Sequence, residues 1–396
     1  MTALGDKALH LAQNLIRCES VTPADAGALD VLIGTLKPAR FTFWRLNFKD
    51  EGSPPVDNLY ARIGDAPPHL CFAGHVDVVP PGDSALWNHP PFAAELSDGI
   101  LYGRGASDMK GAIACFTAAA LDYVKSRGRE LDGSISLLIT GDEEGPAVNG
   151  TCKVLAWMHE RGERPDHCLV GEPTNAKRLG ESIKIGRRGS LNGILKVTGV
   201  QGHVAYPHLA NNPVKGLVKI LTRLYDTPLD YGSAHFSPSN LEVTSVDVGN
   251  ATTNVIPAFA EARFNVRFND RHTADSLMEQ LGEQAKLALS GTDLSLSLEF
   301  EPPSVSFLTE PGPLDALLSE AVNEVTGLTP SLSTDGGTSD ARFIKEYCPV
   351  VEFGLLTASI HKADENVSVA DLEQLTAIYR RFIALYFETF GGVDAG

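Results

Sequence analysis

With 396 residues, of which 43% are hydrophobic and 21% charged, the chain has the composition of a globular protein and the length for two domains. Its 50 acidic and 33 basic residues give a formal net charge of −17, which disfavours nucleic acids and anionic membranes as partners. Residues 1–15 lack the pattern of a signal peptide, and the six cysteines form no C-x-x-C pair. We therefore expect a cytoplasmic protein with reduced cysteines.

The first half of the chain alternates predicted helices with buried strands. Helical periodicity covers residues 6–17, and a second helix, small and apolar on most faces, is predicted at 109–125. Near-continuous apolar runs predict buried strands at 58–63, 69–79, 134–140 and 168–170. This alternation is typical of an α/β domain, in which helices flank a mixed, mostly parallel sheet.

The pattern changes near residue 186 and changes back after Pro302-Pro303. Between these points, alternating strands are predicted at 191–198, 241–248, 259–268 and 293–300, with helices at about 213–225 and 272–290. The order strand, helix, strand, strand, helix, strand is that of a ferredoxin-like α+β domain. A buried strand at 350–353 and a helix at 372–387 then follow. We predict a catalytic domain formed by 1–187 and 302–396, interrupted by a smaller inserted domain, 188–301.

Acidic and imidazole side chains follow several of the predicted strands. His75 and Asp77, two residues apart in a strand, would share a face, so that the carboxylate could accept the ring N–H of a metal-bound histidine. Asp108 also has a simpler explanation as a helix cap, and Glu143 and Glu144 as solvated loop acids. Two further candidates are Glu172, just past the end of a strand, and His361, close to the C-terminal strand. Because sites in α/β sheets gather at the carboxyl ends of strands, we expect these residues to converge. Nitrogen and oxygen ligands without cysteine suit zinc or a similar divalent ion.

Other catalytic motifs are absent or incomplete in the sequence. No G-x-S-x-G nucleophile elbow occurs, and His159-Glu160 lacks the second histidine of a zincin helix. The hypothesis of a nucleotide-binding oxidoreductase has support only from Gly103 and Gly105, whose spacing is not that of a dinucleotide fingerprint. A non-catalytic binding function on the same fold is an alternative, although the sequence contains every candidate metal ligand.

Four motifs together resemble the signatures of the aminoacylase and desuccinylase type of two-zinc metallohydrolase. They are Gly74-His-Val-Asp-Val-Val-Pro80, Gly103-Arg-Gly-Ala-Ser-Asp-Met-Lys-Gly111, Asp142-Glu-Glu-Gly145 and Gly171-Glu-Pro173. Later runs resemble the desuccinylases of lysine and cell-wall biosynthesis in particular: Gly199-Val-Gln-Gly-His-Val-Ala-Tyr-Pro-His208, Asn254-Val-Ile-Pro257 and Gly336-Gly-Thr-Ser-Asp-Ala-Arg-Phe343. Thr253 and Thr357 depart from the residues that are frequent there, which leaves the acyl-group preference open.

The resemblance implies two zinc ions, with cobalt able to substitute at one of the two sites. One ion would be held by His75 and Glu172 and the other by Glu144 and His361, with Asp108 bridging both. Asp77 would orient His75. Glu143 would be the general base, taking a proton from water and passing it to the leaving amine.

The resemblance also implies an N-acyl amino acid as substrate and a homodimer formed through the inserted domain. The expected reaction is hydrolysis of N-succinyl-LL-2,6-diaminopimelate; an acetylornithine deacetylase or a carboxypeptidase is the closest alternative. His203 would reach the partner subunit's site and stabilise the oxyanion. Arg188 and Arg267 would bind substrate carboxylates, and the lesser candidates for substrate contacts are Ser190, Tyr206, Asn254, Thr338 and Ser339.

Overall fold

A computed structural model describes residues 2–128 and 131–391 and divides them into two compact units. The first unit comprises the described residues up to Ile185, the segment Thr309–Ser333 and those from Ser339 onward. The second unit comprises Gly186–Leu308 together with Thr334–Thr338. Within the described residues, no helix is long and apolar enough to cross a bilayer. The six cysteines form no disulfide with one another.

Helices and strands alternate along most of the chain. The α-helices are α1 (Ala3–Ile16), α2 (Ala28–Leu36), α3 (Lys110–Arg127), α4 (Thr151–Glu160), α5 (Pro213–Asp226), α6 (Ala274–Ala288), α7 (Pro313–Thr326), α8 (Ala341–Ile344) and α9 (Val369–Phe390). Short 3-10 helices cover Lys37–Ala39, Ser84–Leu86 and Pro207–Leu209. The strands are β1 (Thr42–Phe48), β2 (Val56–Ile63), β3 (His69–His75), β4 (Glu95–Ser97), β5 (Ile100–Tyr102), β6 (Ser134–Thr140), β7 (His167–Val170), β8 (Ser182–Lys184), β9 (Gly186–Arg187), β10 (Gly189–Thr198), β11 (Gly202–His203), β12 (Asn240–Asp247), β13 (Val255–Ile256), β14 (Phe259–Phe268), β15 (Ser295–Phe300), β16 (Phe307–Leu308), β17 (Ser331–Ser333), β18 (Val350–Glu352) and β19 (Asn366–Ser368).

The first unit contains a mixed sheet, as the buried strands predicted. Its strand order is β1-β2-β6-β3-β7-β18-β8-β17. The central strands β6, β3, β7 and β18 run parallel to one another, whereas β1 and β2 are antiparallel to their neighbours. The central strands β3 and β6 are buried along their whole length. The predicted α/β class, with a mostly parallel sheet, is confirmed.

Helices cover both faces of this sheet. The register aligns Tyr60 with Leu138 and Leu138 with Ala73, so Tyr60 lies on the face opposite to Phe72. On the Phe72 face, the ring of Phe116 from α3 stacks with a centroid distance of 4.2 Å. On the Tyr60 face, the ring of Trp157 from α4 lies 6.0 Å from Tyr60. Both sides of the central strands are therefore removed from water.

The second unit contains an antiparallel sheet of order β12-β14-β10-β15, packed with α5 and α6. This is the predicted strand–helix–strand–strand–helix–strand pattern. Gly193 lies opposite Phe264 on the neighbouring strand, and a Cβ there would come within 2.2 Å of the phenylalanine ring. The glycine thus leaves room for an aromatic core residue, which is 2% exposed.

The second unit extends beyond the predicted 188–301 at both ends. Gly186–Arg187 pairs with Phe307–Leu308, and this short antiparallel ladder belongs to the unit. The separate segment Thr334–Thr338 also belongs to it, because the Thr334 hydroxyl donates to the carbonyl of His235 at 2.6 Å. A two-residue ladder is too short to produce a periodic pattern, so the sequence carries no signal for it.

Candidate metal centre and active site

Three parallel strands of the first unit end at one edge of the sheet. His75, the last residue of β3, lies opposite Thr140, the last residue of β6. Val170, the last residue of β7, lies opposite Ala73. The loops after β6 and β7 begin there, and they carry Glu143, Glu144 and Glu172. The register of the ladder therefore brings acids from separate parts of the chain to His75.

Two imidazoles contact three carboxylates at this edge. His75 Nε2 lies 3.2 Å from Asp108 Oδ1 and 3.5 Å from Glu172 Oε1. His361 Nε2 lies 3.4 Å from the other oxygen of Asp108 and 3.0 Å from Glu144 Oε1. Asp108 thus faces one imidazole with each of its oxygens. It has the position of a bridging ligand, and this cluster is called the metal centre below.

The donor set of the metal centre fits divalent metal ions. Ligand atoms of His75, Asp108 and Glu144 lie within 4.8 Å of one another, and so do those of His75, Glu143 and Glu172. His75 is 1% exposed, Asp108 7% and Glu172 9%, so these groups are largely removed from water. Buried carboxylates that face one another require a compensating positive charge.

The pKa values of these groups show how that charge is supplied by protons. Hydrogen bonds to Asp108 and Glu144 raise the pKa of His361 to about 10. Burial alone would lower the pKa of His75, but contacts with Asp108 and Glu172 raise it well above its usual value. Burial and the charge of Glu172 hold the pKa of Glu143 well above the usual range of a glutamate. The raised pKa values of both imidazoles thus reflect the negative charge that the acids concentrate at this edge.

Asp77 contacts His75 differently from the prediction. The strand ends at His75, so the two residues do not share a strand face. The ring Nδ1 donates to the backbone carbonyl of Asp77 at 2.9 Å, and the Asp77 carboxylate is 3.6 Å away. This carboxylate instead accepts the backbone N–H groups of Glu143 at 3.3 Å and Glu144 at 3.1 Å. The carbonyl therefore fixes the His75 ring with Nε2 toward the acids, and the carboxylate positions the loop after β6.

Glu365 is a buried acid that the sequence reasoning missed. Its carboxylate accepts backbone N–H groups of Gly105, Ser107 and Asp108, each at 3.0 Å. It also accepts a hydrogen bond from Arg104 at 2.8 Å, and Arg104 donates in addition to the carbonyl of Lys362. Glu365 is 0% exposed. One carboxylate thus holds the loop that carries Asp108, and its partner Arg104 ties that loop to the residue after His361.

The same contacts explain the glycine-rich loop. Gly103 and Gly105 have φ angles of 155° and 86°, which side chains rarely allow. Their conformation turns successive N–H groups toward one point, as a phosphate-binding loop does, but here Glu365 occupies it. The nucleotide-binding alternative therefore loses its only support. A charged residue, Arg104, between the two glycines was the signal in the sequence that an acid would be needed.

Predicted substrate residues form two groups in the second unit. The first group contains Arg188, Ser190 and Arg267. Ser190 is paired with Arg267 across β10 and β14, and Arg188 donates to Asn240 at 2.9 Å. Burial and the neighbouring charge of Arg188 lower the pKa of Arg267. Among the described residues, no carboxylate forms an ion pair with either arginine. Two half-buried guanidinium groups near each other without an acid are a suitable place for an anion.

The second group surrounds His203, which is exposed. Its ring lies 5.7 Å from the ring of Tyr206, and the N–H of the next residue, Val204, donates to the carbonyl of Asn254. The His203 Nδ1 accepts the backbone N–H of Ala205 at 3.0 Å, so the ring proton is on Nε2. The imidazole thus presents a hydrogen-bond donor to its surroundings.

The remaining two candidates are neighbours in the sequence that belong to different units. Thr338, half-exposed, ends the short segment of the second unit. Ser339 belongs to the first unit, is 0% exposed and donates its hydroxyl to Glu352. In this structure the Ser339 hydroxyl is therefore a core contact rather than a group presented to a substrate.

Comparison with known proteins gives full-length matches. The model of the family described as peptidase family M20/M25/M40 matches residues 71–385. A succinyl-diaminopimelate desuccinylase of Rhodopseudomonas palustris (strain TIE-1) is 59% identical over 96% of this chain and 98% of its own. A protein of the same name from Methylobacterium radiotolerans is 58% identical over 96% of this chain and 97% of its own.

Solved structures share the fold at lower identity. A dinuclear metal-binding peptidase of the M20 family from Bacillus subtilis has a TM-score of 0.71 at 17% identity, covering 99% of each chain. The aminopeptidase PepT of Bacillus cereus has a TM-score of 0.76 at 18% identity, covering 96% of this chain and 98% of that one.

The contacts of Glu365 predict a role in metal binding. In Glu365→Gln, an amide N–H₂ would face backbone N–H groups that now donate to a carboxylate, so the loop carrying Asp108 would lose its position. We expect the Kd for a divalent metal to rise roughly 10- to 100-fold, the usual effect of removing a residue that orients ligands. Titration of the metal-free protein with zinc, in competition with a chelator, measures this.

Glu163→Gln is the matched control. Glu163 is a half-buried carboxylate of the first unit that, like Glu365, accepts a hydrogen bond from an arginine, here Arg62, and it also accepts one from Tyr60. It should leave the metal Kd unchanged. Equal zinc affinity of Glu365→Gln and the unchanged protein would contradict the positioning role.

Proposed function

Because this chain belongs to peptidase family M20/M25/M40, we propose that it is a metal-dependent amide hydrolase that cleaves N-succinyl-LL-2,6-diaminopimelate to succinate and LL-2,6-diaminopimelate. The observation that carries the reaction class is the convergence of His75, Asp108 and His361 with the glutamates at the end of the parallel strands. The desuccinylases that are 56–59% identical over nearly the whole chain support the substrate.

Zinc is the proposed metal, in two adjacent sites. His75 and Glu172 would hold one ion, Glu144 and His361 the other, and Asp108 would contribute one oxygen to each. Borderline nitrogen and hard oxygen donors without sulfur suit zinc, and they also allow cobalt to substitute at one site. Bound there, the ions would polarise the amide carbonyl and lower the pKa of a water molecule.

Glu143 is the proposed general base. It follows β6 next to a proposed ligand, and the Asp77 carboxylate holds its backbone N–H. Burial raises its pKa, which makes it a better proton acceptor than an ordinary glutamate. Glu143 would take the proton of the attacking water and deliver it to the nitrogen of the leaving amine.

Recognition of the substrate would use carboxylate-binding arginines and a donor from a second subunit. The proposed substrate carries a succinyl carboxylate, and the guanidinium groups of Arg188 and Arg267, which have no carboxylate partner among the described residues, are suited to such a group. The Nε2–H of His203 would donate to the developing oxyanion of a partner subunit's reaction, which requires a homodimer.

Exposed apolar side chains support a dimer through the second unit. Val218 and Tyr225 on α5 are 56% and 54% exposed, and Val246 on β12 is 55% exposed. The Tyr225 hydroxyl accepts the backbone N–H of Val243, which places α5 beside the edge strand β12. An edge strand flanked by apolar residues is suited to pairing with its own copy around a two-fold axis.

Substrate turnover tests the proposed function. We expect kcat/KM for N-succinyl-LL-2,6-diaminopimelate to exceed that for N-acetylornithine by roughly 10²-fold or more, because a site built for a second carboxylate is left unsatisfied by an acetyl group. Both substrates are assayed with zinc-loaded enzyme. A preference for the acetyl compound would make the chain a deacetylase with the same chemistry.

Replacing the proposed base separates chemistry from metal binding. Glu143→Ala should remove at least ~10²-fold of kcat, the usual contribution of a general base, while metal content stays near normal. Metal analysis and steady-state kinetics are measured on the same preparation. The control, Glu160→Ala, changes an exposed acid on α4 and should keep full turnover. Unreduced kcat in Glu143→Ala would exclude this base.

Mixed dimers test the role of His203. His203→Ala and Glu143→Ala should each be nearly inactive, but a co-expressed equal mixture should recover roughly a quarter of the activity, because half of the dimers would contain one intact shared site. The matched control is His208→Ala, an exposed histidine nearby, which should remain active alone. Failure of the mixture to recover activity would show that His203 does not act across the dimer.

A further inference from the structure

A cavity of about 720 Å³ lies in the first unit, and none of the candidate metal ligands lines it. It is formed by α1, the 3-10 helix Lys37–Ala39 and the C-terminal half of α3, and is called the α1–α3 cavity below. The other end of α3 follows Asp108; from Lys110 to Val124 the helix rises about 21 Å. The volume of the α1–α3 cavity is in the range of pockets that hold small organic ligands.

The floor of the α1–α3 cavity is apolar. Leu11 is 5% exposed, Ala118 4% and Val124 9%, and Leu121 is half-buried beside them. These side chains come from two helices that pack closely against each other. An apolar floor of this kind favours a ligand with a hydrocarbon or aromatic body.

The mouth of the cavity carries basic residues. Lys7 and His10 on α1, Arg40 after the 3-10 helix, and Lys125 on α3 all line it and are exposed. In residues 2–128 and 131–391, none of the four forms an ion pair, and no described acid lines the cavity.

This local charge contrasts with the rest of the protein. The whole chain has a net charge of −17. Two smaller cavities carry both signs: Glu163 and Arg164 line one, and Asp371 and Lys177 line the other. A group of basic residues without acids, around an apolar floor, is therefore a local feature and not the average composition of the surface.

We propose that the α1–α3 cavity binds a small organic anion with an apolar body, of the class of a medium-chain carboxylate. The carboxylate contacts the basic residues at the mouth, and the chain lies on Leu11, Ala118 and Leu121. The same chemistry is presented by an anionic membrane, but the concave shape limits the occupant to a single molecule. The strongly negative protein as a whole is also repelled by such a surface.

Calorimetric titration of the metal-loaded enzyme with sodium decanoate, below its micelle concentration, tests the proposal. Decanoate should bind with a Kd below about 1 mM, and acetate at least about tenfold more weakly, because each buried CH₂ adds to affinity. Decyltrimethylammonium, which has the same chain with a positive charge, should also bind at least about tenfold more weakly. Absence of decanoate binding, or equal binding of all three compounds, would overturn the proposal.

Variants locate the bound decanoate. Lys7→Glu combined with Arg40→Glu should raise its Kd about tenfold or more. The control, Lys49→Glu combined with Lys286→Glu, makes the same change of net charge at exposed positions elsewhere and should leave the Kd unchanged. His361→Ala, at the metal centre, should also leave it unchanged. Loss of binding in His361→Ala but not in Lys7→Glu with Arg40→Glu would place decanoate at the metal centre and overturn the proposal.

Sedimentation with phosphatidylglycerol vesicles distinguishes a free carboxylate from an anionic membrane as the ligand of the cavity. The protein should stay in the supernatant when they are sedimented. Sedimentation that is abolished by Lys7→Glu with Arg40→Glu would overturn the assignment to a free carboxylate.

Discussion

Repulsion between carboxylates that lie close together, largely removed from water, is the main constraint on the metal centre. Asp108, Glu144 and Glu172 face two imidazoles at one edge of the sheet. Negative charges in such a place are stable only when positive charge lies between them. The imidazole protons supply part of it, as the raised pKa of His361 indicates. A divalent metal ion supplies more charge in place of those protons, because an imidazole nitrogen binds metal only when it is deprotonated. The excess of negative charge therefore makes the site suited to metal cations.

Holding the acids in place requires a second set of acids that do not face the metal centre directly. Asp77 accepts two N–H groups from the loop after β6, and Glu365 accepts three from the loop before α3. Each of these carboxylates positions a loop that carries a candidate ligand. The two loops come from different parts of the chain, yet they are fixed by the same device, a buried carboxylate that collects backbone donors.

The sequence predicted the fold well where a periodic pattern carried the information. The buried runs of β3 and β6 and the alternating strands β10 and β14 were recognisable from hydrophobicity alone. Convergence of the strand ends then followed from a general rule of α/β sheets. Short elements were not predictable in this way: the β9–β16 ladder, which extends the second unit, contains only two residues in each strand.

Contacts between residues far apart in the sequence were the second feature that could not be predicted from it. Glu365 is separated by more than 250 residues from the loop that it holds, and no local pattern distinguishes it from the half-buried acid Asp364 beside it. The contact between Asp77 and His75 was predicted from strand geometry, but the strand ends at His75, two residues before Asp77, so that geometry does not apply. Hydrogen bonds of this kind depend on where the backbone turns, which side-chain pattern alone does not specify.

The position of β18 has a consequence for how the enzyme is made. This strand lies between β7 and β8 although it follows them by more than 160 residues, and His361 and Glu365 come later still. A ribosome releases the chain from its N-terminus, so β7 and β8 emerge well before the strand that lies between them. The metal centre is likewise incomplete until His361 has emerged. Before β18 arrives, the edges of β7 and β8 that it covers lack their strand partner, and unpaired strand edges favour wrong association with other chains.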